Sequence, residues 1–161
     1  MSENKEALFL LDSQPPHWGE LVSVLLKLKD YDQMHICVSG ISKIMPIKHV
    51  VANWLFVMGA YKNVTISALL IPFADVAVLP EQFKDCTVLT TNREIFVHMS
   101  SVGIPVELVP RTLGYHGIFL RTAYRQGRAL DWLLKSTQSM LRSNPRKLEE
   151  ENKNDTNIRD K

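Results

Sequence analysis

Three groups of residues in this 161-residue chain have types and spacings that could do chemistry. The first is Gln14-Pro15-Pro16-His17-Trp18-Gly19-Glu20. Two consecutive prolines fit neither a helix interior nor a central strand, so they mark a loop. A histidine opening the next helix would offer an N–H to an anion. It would act beside the free backbone N–H groups and partial positive charge of the helix N-terminus. Gly19 would let backbone approach that anion without a Cβ in the way. The prolines would fix the donors before a ligand arrives. The second group is Arg121, Arg125 and Arg128, at i, i+4 and i+7. A continuous helix would project them from one face, although Gly127 interrupts it. An arginine fork suits phosphate because it donates to two oxygens at once. The third is His116, whose imidazole can donate and titrates near neutrality.

Other reactive types read as structural. Cys37 and Cys86 are far apart and make neither a disulfide framework nor a metal cluster. Cys37, inside His35-Ile36-Cys37-Val38, reads as a small buried thiol. His35, His49 and His98 show no ligand spacing with one another or with the cysteines, so no metal site is expected. Trp54 and Trp132 sit on apolar helix faces and read as core.

The elements that must position these residues alternate. Ala7–Leu11 is a continuous apolar run, as in a strand buried on both faces. Helical spacing follows over Gly19–Asp30, a strand over Met34–Val38, a helix over residues 47–60 and a strand over Val64–Leu70. Ala74–Leu79 and Cys86–Thr91 are further strand candidates. Asn92–Ser101 reads as helix, Val106–Val109 as strand, and Arg121–Gln126 and Ala129–Leu141 as the final helices. Strand–helix alternation predicts a doubly wound, Rossmann-like α/β domain, a parallel sheet with helices on both faces. Such sheets bind ligands at the carboxyl ends of the strands, where strand order reverses. The loop after the first strand, Asp12–Gly19, is therefore the first place to look.

Composition narrows the partners. Lys and Arg number 19 against 17 Asp and Glu, a net charge of +2. That is no general field for nucleic acid or acidic membranes, so nucleic acid is not expected as a partner. With 45% apolar residues the chain has enough to build one globular domain. Residues 144–161 hold five basic and five acidic residues and read as a charged, disordered tail after a single domain over 1–143. The N-terminus is mixed-charge and unlike a secretory signal. No apolar stretch reaches the roughly 18–20 residues of a spanning helix. A protein of the reducing cytoplasm, without membrane contact, is expected.

The segment Leu11–Glu20 resembles the first signature of the nucleotidylyltransferase superfamily, G-x-F-x-P-x-H-x-G-H. It is most similar to that of nicotinamide mononucleotide adenylyltransferases, G-R-F-Q-P-x-H-x-G-H. Thr90-Thr91-Asn92 resembles the family's S-G-N step, which lies near the adenylate. Tyr115-His116-Gly117-Ile118-Phe119-Leu120-Arg121, followed by Gly127 and Trp132, resembles its late S-G-T-x-x-R motif. Order and spacing agree over residues 7–133. The resemblance implies transfer of AMP from ATP to nicotinamide mononucleotide with Mg²⁺. His17 and Arg121 would hold the phosphates. Gln14, Pro15, Gly19, Thr91, Asn92, His116 and Gly117 would line the substrate site. Relatives often form homo-oligomers, which leaves that partner class open.

The chain departs from this pattern where the chemistry lies. Glu20 replaces the second histidine, and Leu11, Asp12 and Ser13 replace the opening glycine, arginine and aromatic. His116 and Ile118 replace two hydroxyl donors. Val51 and Ala52, or Ala52 and Asn53, stand where the family has an acidic residue and an arginine. Unit charges about 4 Å apart interact by about 4 kcal/mol at an effective dielectric of about 20, so an ionised Glu20 would repel a reacting phosphate. The bland alternative is that Glu20 stabilises the helix N-terminus; holding Mg²⁺ is another. Two functions follow: an adenylyltransferase impaired in catalysis, or a non-catalytic nucleotide-binding or assembly protein that keeps the fold.

Overall fold

The computed structural model describes residues 4–41, 44–111, 117–126 and 133–143. Five parallel strands are ordered β3-β2-β1-β4-β5. They are β1 (Glu6–Leu11), β2 (Gln33–Val38), β3 (Val64–Ala68), β4 (Thr87–Thr90) and β5 (Val106–Leu108). The helices are α1 (Trp18–Leu28), α2 (Ile47–Met58), α3 (Arg93–Ser101), α4 (Gly117–Arg125) and α5 (Lys135–Ser143). The Rossmann-like α/β architecture is as expected. The chain starts in the central strand, winds outward through β2 and β3, then returns to build β4 and β5 on the other side of β1. Strand order therefore reverses between β1 and β4.

The β1 run is apolar throughout because both its faces are covered. Ala7, Phe9 and Leu11 join a core with Leu21, Val24 and Leu28 of α1 and Val50, Trp54 and Met58 of α2. Leu8 and Leu10 join a second core with Ile95 and Met99 of α3. Leu120 of α4 and Leu133 and Leu134 ahead of α5 add to the first core.

Two elements differ from expectation. The last helix, expected over Ala129–Leu141, starts only at Lys135, because Leu133 pairs with His17 in a bridge. Ala74–Leu79 is not a strand. The crossover from β3 to β4 makes two short 3₁₀ turns, Phe73–Asp75 and Glu81–Phe83, entered from Pro72 and Pro80. Each proline lacks an N–H and fixes φ, which suits a turn entry and not a ladder. The apolar residues serve as a lid: Phe73, Val76 and Phe83 bury themselves on the second face. Strand β4 accordingly begins at Thr87 rather than Cys86. His116, Gly127, Arg128, Trp132 and the 144–161 segment lie outside the described residues. Among the described residues no helix is long and apolar enough to cross a membrane.

The β2 and β3 ends approach closely at Gly40. A Cβ there would stand 2.0 Å from the Leu69 carbonyl oxygen, a backbone atom that cannot swing aside. Gly103 has φ +80° but open space around it. Gly40→Ala is expected to destabilise by more than about 2 kcal/mol, and Gly103→Ala by about 1 kcal/mol from backbone strain alone. Urea unfolding of both variants checks this ranking, and equal losses would contradict it.

Candidate nucleotide site

At the reversal point the carboxyl ends of β1 and β4 lie side by side, with Leu10 paired to Thr90. The Thr90 hydroxyl donates to the Leu10 carbonyl, 2.9 Å, and ties the two strand ends together. The loop from β1 to α1 starts here. Ser13 adopts φ +47°, a left-handed conformation uncommon outside glycine. That geometry turns its N–H and hydroxyl the same way. The N–H donates to Glu20 Oε1 at 2.9 Å, and the hydroxyl oxygen lies 2.7 Å from Glu20 Oε2. The Trp54 indole N–H of α2 donates to the same hydroxyl at 2.9 Å.

His17 is the N-cap of α1. Its Nδ1 accepts from the Glu20 N–H at 3.4 Å, and its Nε2 lies 3.8 Å from Glu20 Oε1, beyond hydrogen-bond distance. Gln14 turns its side chain inward. Its amide oxygen accepts from the Ile44 and Met45 N–H groups, and its amide nitrogen donates to the Met45 carbonyl. Ser13, Gln14, His17 and Glu20 are exposed by 1%, 1%, 3% and 6%. Pro15, Pro16 and Gly19 are also buried.

The roof over this loop comes from the C-terminal part of the chain. Arg121 of α4 reaches back through Nη1 to the Gln14 carbonyl, 2.7 Å, and to Asp12 Oδ2, 3.3 Å. His17 pairs with Leu133 in a single antiparallel bridge. Arg125, on the same helix, is exposed and away from the loop. Gly117 opens α4.

Across the reversal point, Asn92 caps α3. Its side-chain oxygen accepts from the Glu94 and Ile95 N–H groups. The Thr91 carbonyl accepts from Arg111 Nε. Thr91 and Asn92 are half-buried. Both predicted residues therefore lie at the carboxyl end of the sheet, His17 after β1 and Asn92 after β4.

Comparisons with known proteins give a consistent picture. No family model and no curated protein sequence matches the chain. Solved structures do. A Vibrio parahaemolyticus protein assigned as a nicotinate-nucleotide adenylyltransferase superposes with TM-score 0.61 at 18% identity, covering 86% of this chain and 99% of its own. A Francisella tularensis bifunctional NMN adenylyltransferase/ADP ribose pyrophosphatase gives TM-score 0.57 at 10% identity over 81% of this chain. A structure of the Francisella bifunctional enzyme with AMP and a manganese ion gives TM-score 0.54 at 11% identity over 88% of this chain. The chain has a nucleotidylyltransferase-like fold. It spans 45% and 53% of the two bifunctional chains, about half their length.

Glu20 is buried against Ser13. Desolvation by complete burial pushes its carboxyl up to about 8 from an ordinary 4.5. The Ser13 hydrogen bonds and Arg121 oppose the rise, and Asp12 adds to it. A buried carboxylate without a close cation is costly and neutralises instead. Near neutrality Glu20 is thus largely the uncharged acid. The ionised Glu20 expected from the sequence is instead a buried carboxyl group bound to Ser13. Nor do the carboxyls here fit a resident Mg²⁺. Glu20 is bound to Ser13 and Asp12 to Arg121. Sequence reasoning missed Ser13 and the Asp12–Arg121 pair. A partner for Trp54 was foreseeable, because a buried indole N–H needs an acceptor, but its identity was not.

The sign of the pH effect follows from the raised value. Between pH 4.5 and about 8 the folded state holds a proton that the unfolded chain has released. This contribution is full below pH 4.5 and falls by up to about 1.4 kcal/mol per pH unit until the folded group ionises. Glu20→Gln, uncharged at every pH, is expected to flatten that decline. Urea midpoints of both proteins at about pH 5 and about pH 8 check it. Parallel declines in the two proteins would refute it.

Proposed function

We propose that this chain is a nicotinamide mononucleotide adenylyltransferase-like protein impaired in catalysis. The observation that carries this reading is the engagement of the phosphate-binding groups by the chain itself. His17 Nδ1 caps its own helix, and Arg121 Nη1 is bonded to the Gln14 carbonyl and Asp12. Adenylyl transfer depends on positioned donors aimed at the charge that develops on the reacting phosphate. Here Glu20, mostly protonated, occupies the place of one such donor and bonds inward to Ser13. To reach a triphosphate, Arg121 Nη1 would first have to give up its bonds to the Gln14 carbonyl and Asp12. With Glu20 bonded to Ser13 and Asp12 to Arg121, Mg²⁺ would arrive on the nucleotide's own phosphates.

A second reading, nucleotide binding without transfer, is favoured by the β4 end. Asn92 spends its side-chain oxygen on the α3 cap, while its Nδ2 has no hydrogen bond among the described residues. An adenine or ribose acceptor could use that donor.

The test is direct. Purified protein with ATP, Mg²⁺ and nicotinamide or nicotinate mononucleotide is expected to form no dinucleotide above the level of a His17→Ala, Arg121→Ala double variant. Robust formation that disappears in His17→Ala would overturn the reading.

A further inference from the structure

The opposite end of the sheet brings together three residues that are far apart in sequence. Glu6 opens β1. His35 of β2 pairs with Leu8 and so shares its face of the sheet. Cys86 stands one residue before Thr87, which pairs with Ala7, so it lies beside Glu6. The period of two in strands puts all three on the same face. Their ligand atoms lie within 4.8 Å of one another. His35 Nε2 is 3.3 Å from Glu6 Oε2. No linear spacing announces this set because register, not sequence distance, assembles it.

We propose that Glu6, His35 and Cys86 form a binding site for a divalent cation of the zinc type. Thiolate, imidazole and carboxylate are the donors zinc takes, at about 2.0–2.3 Å. Ligand atoms around a tetrahedral ion stand roughly 3.3–3.8 Å apart by that geometry, so the set needs only a small contraction. Carboxylate plus thiolate supplies two negative charges for a dication. Three protein ligands leave a fourth position for water.

The surroundings already hold the imidazole. The Thr65 hydroxyl of β3 lies 2.6 Å from His35 Nδ1. With the proton on Nδ1 donated to Thr65, Nε2 presents its lone pair to an ion, the arrangement that orients metal-bound histidines. Phe83 packs on the ring, centroids 5.3 Å apart. Cys86 also lines an open hollow of about 370 Å³ with Lys84, Ile104 and Glu107, which gives an ion a way in. A cysteine–histidine nucleophile fits less well, since both ring nitrogens are engaged by groups other than the thiol.

The test uses the untagged full chain and cobalt(II) as a spectroscopic stand-in for zinc. One equivalent is expected to bind with a thiolate-to-cobalt charge-transfer band, and Cys86→Ser is expected to abolish that band. Thr65→Val should keep the band but weaken binding about 10- to 100-fold, as loss of an orienting partner does. Zinc should also slow alkylation of Cys86 in the wild-type protein at least about tenfold, a readout that needs no variant. Absence of the band, its survival in Cys86→Ser, or unchanged Cys86 alkylation would overturn the proposal.

Discussion

Ser13 is the junction on which the β1–α1 end of the molecule depends. Its N–H and its hydroxyl both meet the Glu20 carboxyl, and the same hydroxyl accepts from the indole of Trp54. Three segments meet in this chain of bonds: the loop, the first turn of α1 and the middle of α2. None of the three partners is exposed by more than 6%. In so dry a place an unmade hydrogen bond costs its full desolvation penalty, about 1–3 kcal/mol. The left-handed conformation of Ser13 is the local cost of aiming both of its polar groups at one carboxyl.

The rest of the site follows from that knot. With Glu20 turned to Ser13, its backbone N–H, the third of α1, is capped by His17. Gln14 fastens the neighbouring segment at Ile44 and Met45, and Arg121 closes over the Gln14 carbonyl from α4. An anion-binding site keeps such donors in reserve. Here the Glu20 N–H and Arg121 Nη1 are bonded within the chain. The sheet keeps the reversal of strand order between β1 and β4, and the Arg121 fork proposed for phosphate is bonded to Gln14 and Asp12.

The architecture was legible where local patterns decide it. The unbroken run Ala7–Leu11 announced a strand covered on both faces, and the prolines at 15 and 16 announced the loop. The same logic failed at Ala74–Leu79, where apolar residues serve a crossover lid and Pro72 and Pro80 outweigh their strand preference. The motif positions His17 and Asn92 both fall at the carboxyl end of the sheet, as helix caps after β1 and β4. What the residues do there was not legible. Glu20 as a charge near a phosphate and Glu20 as a buried acid on Ser13 are the same letters, separated by burial and by one unusual φ. Nor did sequence spacing reveal Glu6, His35 and Cys86, which only parallel register joins.

The Glu20 carboxyl is a buried, mostly protonated group bonded to Ser13, and the proposed loss of catalysis rests on its staying there when nucleotide is present. The most direct measurement is the pH titration of the Glu20 side-chain carbonyl carbon by NMR, with and without ATP. A midpoint near 8 that ATP leaves in place is the predicted result. A midpoint near the ordinary 4.5, or a midpoint that moves when ATP is added, would contradict it.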